Sequence, residues 1–387
     1  KGFYFWRTSS AIESQYAVYN GIDYKRNAGH LDASVEIHTS AATAQRPAGT
    51  KVSAPKGWYD AGDYNLYVVN AGISVFSLIH AYEMCPSIFD NLNLNIPESN
   101  NTVPDFVDEL KWEFDWLLAM QDLDGGVYFK LTSKSFDAFE MPEKDLSARY
   151  MVGKSTTSAL DFAAMTAMGY RLFKKFEAQF PGFADRCLTA SESAWTWAKA
   201  NPSIAFSNPS DIYTGGYGDN SFSDEFFWAA AELYISTGNQ LYYNELNFGL
   251  TFQSPTWGMV NGQGLMSLMV HLNNLSSAAN KTTIQNTYKT LCDNVLSIYT
   301  NSVYKCLISN FVWGSNGDIA ARGMVLAGAY TFLNDQKYLD AAMEGLNYIL
   351  GRNATGYCFV TGFGDKSPLD IHDRRSGADG IVNPIPG

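Results

Sequence analysis

Charge is scarce in this chain, and basic charge is the scarcer kind. Asp, Glu, Lys and Arg make up 17% of its 387 residues, and 27 Lys and Arg face 39 Asp and Glu, a formal net charge of −12. Nucleic acid and anionic membranes both select for Lys and Arg clusters, so this balance argues against either as a partner and fits an uncharged substrate. Cysteine is also sparse. Cys85, Cys187, Cys292, Cys306 and Cys358 are odd in number and form no CxxC pair, so they signal neither a disulfide framework nor a zinc site. Buried free thiols are expected, with Cys292–Cys306 the one pairing worth weighing. No run of about 18 or more apolar residues exists, which argues against a transmembrane helix. The chain opens on Lys1-Gly2-Phe3-Tyr4-Phe5 without a signal-peptide pattern, so secretion cannot be read from its start. No repeat of fixed period is visible, which weakens a solenoid reading, and no linker-like stretch divides the chain, which points to one domain.

Aromatic residues are plentiful: 9 Trp, 23 Tyr and 24 Phe, 14% of the chain. Most belong in a large core. A surplus of Tyr and Trp also suits carbohydrate binding, because each ring offers an apolar face and a polar edge. Apolar spacing predicts a helix over Ala71–Glu83, with Ile73, Phe76, Ile79 and Tyr82 on one face, and another beginning at Pro104. Further helices are expected at about 155–176, 184–200, 222–237, 262–274, 281–300, 318–333 and 335–350. Strand alternation is scarce beyond Gly126–Leu131, residues 1–70 look irregular, and long loops are expected at 122–154 and 201–221. Loops of that length in a compact domain usually carry function. The fold class read from this pattern is all-α.

One segment concentrates chemistry. Gly57-Trp58-Tyr59-Asp60-Ala61-Gly62-Asp63-Tyr64 places two carboxylates three residues apart, among rings and around a glycine that lets the backbone turn sharply. Carboxylates beside stacking surfaces are what a glycosidase needs on the water-activating side of a sugar bond; a protonated acid is needed on the other side. Alone, the motif reads more readily as an ordinary turn with an N-terminal capping Asp.

A second block alters that balance. It runs Tyr357-Cys358-Phe359-Val360-Thr361-Gly362-Phe363-Gly364 and continues to His372-Asp373-Arg374-Arg375-Ser376-Gly377-Ala378-Asp379-Gly380. With Gly125-Gly126-Val127-Tyr128, Met141-Pro142-Glu143, Asp224-Glu225-Phe226-Phe227-Trp228, Val312-Trp313-Gly314-Ser315-Asn316 and Tyr348-Ile349-Leu350-Gly351, the ordered set resembles the catalytic domain of family 9 glycoside hydrolases, mostly cellulases. The resemblance spans nearly the whole chain. It implies an (α/α)6 barrel with an open cleft, a single catalytic domain over 1–387, and inverting hydrolysis of β-1,4-glucan. It implies Asp63 as general base and Asp60 as its partner in holding water, and it makes His372 and Arg374 sugar-contacting donors. Trp313 and Trp257 are candidate stacking platforms, with Tyr213 and Tyr217 behind them. Phe129 departs from the family, which often has His after Gly-Gly-Val-Tyr, and the loss of that donor is expected to weaken one sugar subsite.

No cofactor is needed for this chemistry. Calcium in relatives implies a structural calcium near Asp224 and Glu225 here, although the further acidic ligand expected near Trp257 is replaced by Gly258 and Met259. The family's general acid, a Glu in a last loop and helix, has no counterpart before Gly387; Glu140 and Glu143 are weak substitutes. The natural polypeptide is therefore expected to continue beyond Gly387, and the Phe3-Tyr4 opening resembles entry from an upstream immunoglobulin-like module. The reading is of a secreted, monomeric endo-1,4-β-glucanase acting on a β-glucan. A catalytically impaired glucan-binding fragment, or an exo-acting, mixed-linkage or xyloglucan-active relative, are the alternatives.

Overall fold

Ser155 begins the longest run of buried helix in the first half of the chain. Its side chain accepts from the Ser158 N–H while Ser158 Oγ accepts from the Ser155 N–H, a reciprocal cap that starts the helix Thr156–Lys174. Arg171 and Lys174 lie in its last turn, where cations favour the helix dipole. Nearly every side chain of this helix is buried, which marks an inner-layer helix rather than an amphipathic surface one. Its neighbour Phe183–Ala200 buries one stripe, Phe183, Cys187, Ala190, Ala194 and Ala198, at helical spacing. Across the layer, Gly169 gives the ring of Phe114 room: a Cβ there would stand 2.2 Å from the ring.

The computed structural model describes residues 1–387 and divides into two compact units, Lys1–Phe222 with Asp370–Pro386, and Ser223–Leu369 with Gly387. The first also contains the helices Val68–Met84 and Asp105–Ala119. Pro104 serves as the residue before the latter helix, with extended ψ, rather than as its first turn, and Asp105 and Asp108 supply the acidic start. The second unit holds the helices Ser223–Thr237, Asn261–Val270, Lys281–Asn301, Ser315–Leu333 and Gln336–Ile349. Its last two pack as a hairpin, turned by Asn334 in the left-handed region at φ 52°. No helix is long and apolar enough to cross a membrane.

The all-α expectation needs amendment, because the first unit also contains a five-stranded sheet. Its order is Lys51–Val52, Val35–Ile37, Tyr150–Lys154, Tyr128–Thr132 and Leu66–Tyr67, with one parallel pair, Val35–Ile37 beside Tyr150–Lys154. Three of these strands fall in the stretch expected to be irregular, and two fall inside the expected 122–154 loop. Tyr128–Thr132 overlaps the Gly126–Leu131 stretch expected as strand, and it is buried at every position. The sheet matters for function because Leu66–Tyr67 leads directly into the helix Val68–Met84 and so fixes the segment just before it.

All five cysteines are free, and four are buried; Cys85 is the exposed one.

Candidate active site

The segment before Leu66 is held in place from several sides. Gly57 takes φ +92°, and a Cβ there would meet Leu66 and Trp116 at 2.5 and 2.8 Å. Two carboxylates on one face of the helix Asp105–Ala119 then grip the next residue. Glu113 accepts the Trp58 backbone N–H at 2.8 Å, and Glu109 accepts the Trp58 indole N–H at 2.8 Å. Burial pushes the Glu113 carboxyl up to about 8, with the Trp58 N–H pulling the other way. His30 links Tyr59 to Asp145, at 2.7 and 2.8 Å, and burial pushes its ring down to about 4. Trp58, Tyr59 and Tyr64 are thereby buried, so these rings build the loop and are not the stacking surfaces that their position beside the carboxylates suggests.

Asp60 and Asp63 emerge from this frame with different surroundings. Both oxygens of Asp60 are engaged: Asn70 Nδ2 donates to Oδ1 at 2.9 Å, and Tyr217 Oη donates to Oδ2 at 3.0 Å. Burial, and then the charge of Asp63, push its carboxyl up to about 7, while the Asn70 and Tyr217 hydrogen bonds act the other way. In Asp63 only Oδ2 is engaged, accepting from Asn65 Nδ2 at 2.8 Å and Tyr67 Oη at 3.2 Å. Its Oδ1 has no protein hydrogen-bond partner. One carboxylate is therefore tied to the protein through both oxygens, and the other has one buried oxygen without a protein partner.

Gly62 is needed for a reason other than a sharp turn, since its φ is not positive. The His372–Asp373 backbone lies against it, and a Cβ on Gly62 would come to 1.7 Å from the His372 carbonyl oxygen. Arg374 closes the contact. Its N–H and its Nη1 donate to the Gly62 carbonyl at 3.1 and 2.7 Å, and its Nε donates to the Asp137 carbonyl at 2.8 Å. Asp373 caps the short helix Arg374–Ala378, accepting from the Ser376 N–H at 3.0 Å, and holds the buried Arg375 guanidinium at 2.6 Å. The buried Arg374 thus braces the aspartate loop with donors that the sequence reading gives to sugar hydroxyls, whereas His372 is exposed, its ring edge-on to Phe139 at 5.6 Å.

Of the candidate rings in the first unit, Tyr213 is exposed and Tyr217 is half-buried on Asp60. Tyr217 therefore positions a carboxylate rather than offering an open face. In the second unit Trp313, 87% exposed, precedes the helix Ser315–Leu333, and Trp257, 40% exposed, precedes Asn261–Val270. Phe129 has no open face either: it lies flat on Phe206, centroids 3.7 Å apart and planes within 4°, fully buried. Glu140 and Glu143 are half-buried and hydrogen bond to neither aspartate through their carboxyl groups. Asp224 and Glu225 open the helix Ser223–Thr237, and Asp224 accepts the Val260 N–H at 3.1 Å. No group of three or more His, Cys, Asp and Glu side chains converges in the structure.

Residues that the sequence reading missed surround the pair: Asn65, Tyr67, Asn70, Lys130, Thr132 and Thr214. One signal was available. Lys130 interrupts Val127-Tyr128-Phe129-Lys130-Leu131, and a lysine inside a wholly buried strand must be paired or put to use.

The family model for glycosyl hydrolase family 9 matches residues 1–387. A xyloglucan-specific endo-beta-1,4-glucanase of Bacteroides ovatus is 41% identical over 404 aligned positions, covering 100% of this chain and 68% of the relative. Endoglucanase D of Acetivibrio thermocellus is 35% identical, covering 100% of this chain and 61% of the relative. The solved structure of a Bacteroides ovatus family 9 protein superposes with a TM-score of 0.92 at 41% identity, covering 100% of this chain and 73% of that one.

Proposed function

This chain belongs to glycosyl hydrolase family 9, and from that membership we propose that it hydrolyses internal β-1,4-glucosidic bonds of cellulose or a related β-glucan with inversion at the anomeric carbon. The observation that carries the reading is the asymmetry of the aspartate pair. Asp60 has both oxygens held by Asn70 and Tyr217, while Asp63 has Oδ1 unengaged. Asp63 is the general base and Asp60 orients the water. Water attacks C1 from the face opposite the leaving oxygen and gives its proton to Asp63 as the C1–O bond breaks. The leaving oxygen takes its proton from the general acid that an inverting reaction requires on the other side of the bond.

His372 and the exposed rings Tyr213, Trp257 and Trp313 are offered as sugar contacts. Both units belong to one catalytic domain in this reading, with the (α/α)6 barrel as its frame. It acts outside the cell as a monomer, and any calcium at Asp224 and Glu225 is structural.

Proton NMR of the first product from cellohexaose tests the reaction class. The α-anomer should appear first; initial β-anomer would contradict inversion, and no cleavage would contradict the function. Carboxymethylcellulose, mixed-linkage glucan and xyloglucan belong in the same assay, the last because the Bacteroides ovatus relative is named for it.

A further inference from the structure

A buried lysine stands behind the base. Lys130, fully buried in the strand Tyr128–Thr132, donates from Nζ to Asn208 Oδ1 at 2.8 Å, Thr214 Oγ1 at 2.9 Å and the Gly215 carbonyl at 2.7 Å. Three donors meet three neutral acceptors, so its geometry is that of an ammonium without a carboxylate in contact. From Thr214 the path continues toward the aspartates. Thr214 Oγ1 lies 2.7 Å from Thr132 Oγ1, and Thr132 Oγ1 lies 2.8 Å from Asn65 Oδ1. Asn65 Nδ2 then donates to Asp63 Oδ2 at 2.8 Å.

The direction of each bond follows from what its ends can do. An ammonium only donates, so Thr214 Oγ1 accepts from it and has its own proton for Thr132. A carboxylate only accepts, so the Asn65 amide must turn its nitrogen to Asp63 and its oxygen inward. The Ser133 N–H, donating to Asn65 Oδ1 at 3.2 Å, fixes the same orientation. Thr132 then donates to Asn65 Oδ1; the Ser133 carbonyl, 2.8 Å from the same hydroxyl, is the competing acceptor. Every bond in this chain points from positive to negative, and aligned hydrogen bonds polarise one another.

We propose that Lys130, acting through Thr214, Thr132 and Asn65, is a positioning residue that keeps Asp63 ionised as the base. The inference rests on the function proposed above for Asp63. Lys130 also clamps the 208–217 loop, whose Gly215 N–H donates to Tyr67 Oη at 3.0 Å and whose Tyr217 holds Asp60. The groups whose charge bears on Asp63 are Asp60 in its own loop, Tyr67 at the start of the helix Val68–Met84, Tyr217 in the 201–221 loop and Lys130; Arg374 faces the adjoining Gly62 carbonyl. Of these, Lys130 is the cation, and the Asp63 charge is the one that acts on its ammonium. Burial pushes its ammonium down to about 7, with the Asp63 charge pulling it up, so it carries its charge at acidic pH.

The test titrates Asp63 directly in the full-length protein, using carboxyl-¹³C aspartate with the Asp63 signal assigned through Asp63→Asn. Thr132→Val cuts the chain while leaving Lys130 and its three acceptors in place, and Lys130→Met removes the charge. Both should move the Asp63 midpoint to higher pH, by about half a unit or more for Thr132→Val, and Thr132→Ser should restore it. An Asp63 midpoint equal in wild type and Thr132→Val would overturn the proposal, and if Lys130→Met does not fold, Thr132→Val decides. This readout does not depend on glucan cleavage. An inactive wild type would therefore count against the proposed function, and an unmoved midpoint against this inference. In active enzyme the acidic limb of kcat/KM should move up in the same variants.

Discussion

Tyr217 donates from its hydroxyl to Asp60 Oδ2 at 3.0 Å while its own backbone sits at φ +39°, a region that non-glycine residues seldom occupy. The loop holds a tyrosine in an uncomfortable conformation, and the ring it presents reaches the carboxylate. Backbone outliers of this kind persist where the surroundings over-determine them, often at functional sites.

Tyr217→Phe keeps the ring and deletes that hydrogen bond. A hydrogen bond to a charged group is worth roughly 1.5–3 kcal/mol, so kcat/KM should fall by about ten- to a hundredfold. The Asp60 carboxyl, which this bond holds down, should titrate higher still. Steady-state kinetics and a pH profile check both.

Asp60→Asn should stabilise the protein in a pH-dependent way. The Asp60 carboxyl is raised from 3.8 to about 7 in the folded state, so between those values the folded chain binds more protons than the unfolded one. Stability is then lost from this site as pH rises through that window. The variant escapes the loss. Its gain in thermal midpoint over wild type should grow from pH 4 to pH 7 and level off above, as calorimetry at several pH values would show. A constant difference would place the raised carboxyl elsewhere.

Gly62→Ala should disrupt the contact between the aspartate loop and the His372–Arg374 segment. The new Cβ meets backbone, which cannot swing aside as a flexible side-chain end could. A loss of about 1–3 kcal/mol from overpacking is the minimum expected, with activity falling alongside it. Denaturant unfolding measures the first and reducing-sugar release the second.

The helices were legible because their apolar spacing survives burial of one face: Lys281–Asn301 carries Ile284, Tyr288, Leu291 and Val295. The sheet was legible only at Gly126–Leu131, which overlaps the strand Tyr128–Thr132; Leu66–Tyr67 is two residues long and buried on both sides, so it leaves no period to read. The aspartate pair was legible as a motif, but its division of labour was not, since Asn70, Tyr217, Asn65 and Tyr67 are set around it by folding. Arg374 has a role that its residue type does not reveal: its Nη1 and Nε donate to the Gly62 and Asp137 carbonyls, an arrangement set by folding. The pairing of Phe129 with Phe206 in a buried ring stack leaves no mark in the sequence.

The central claim is that Asp63 takes the proton of the attacking water, and Asp63→Asn tests it most directly in the full-length protein on a soluble β-1,4-glucan. The account predicts a fall in kcat of about 10²–10⁴-fold with folding intact. It also predicts partial recovery in azide, an anion that needs no base, with an α-configured glycosyl azide as product. Unchanged turnover in the folded variant would contradict it.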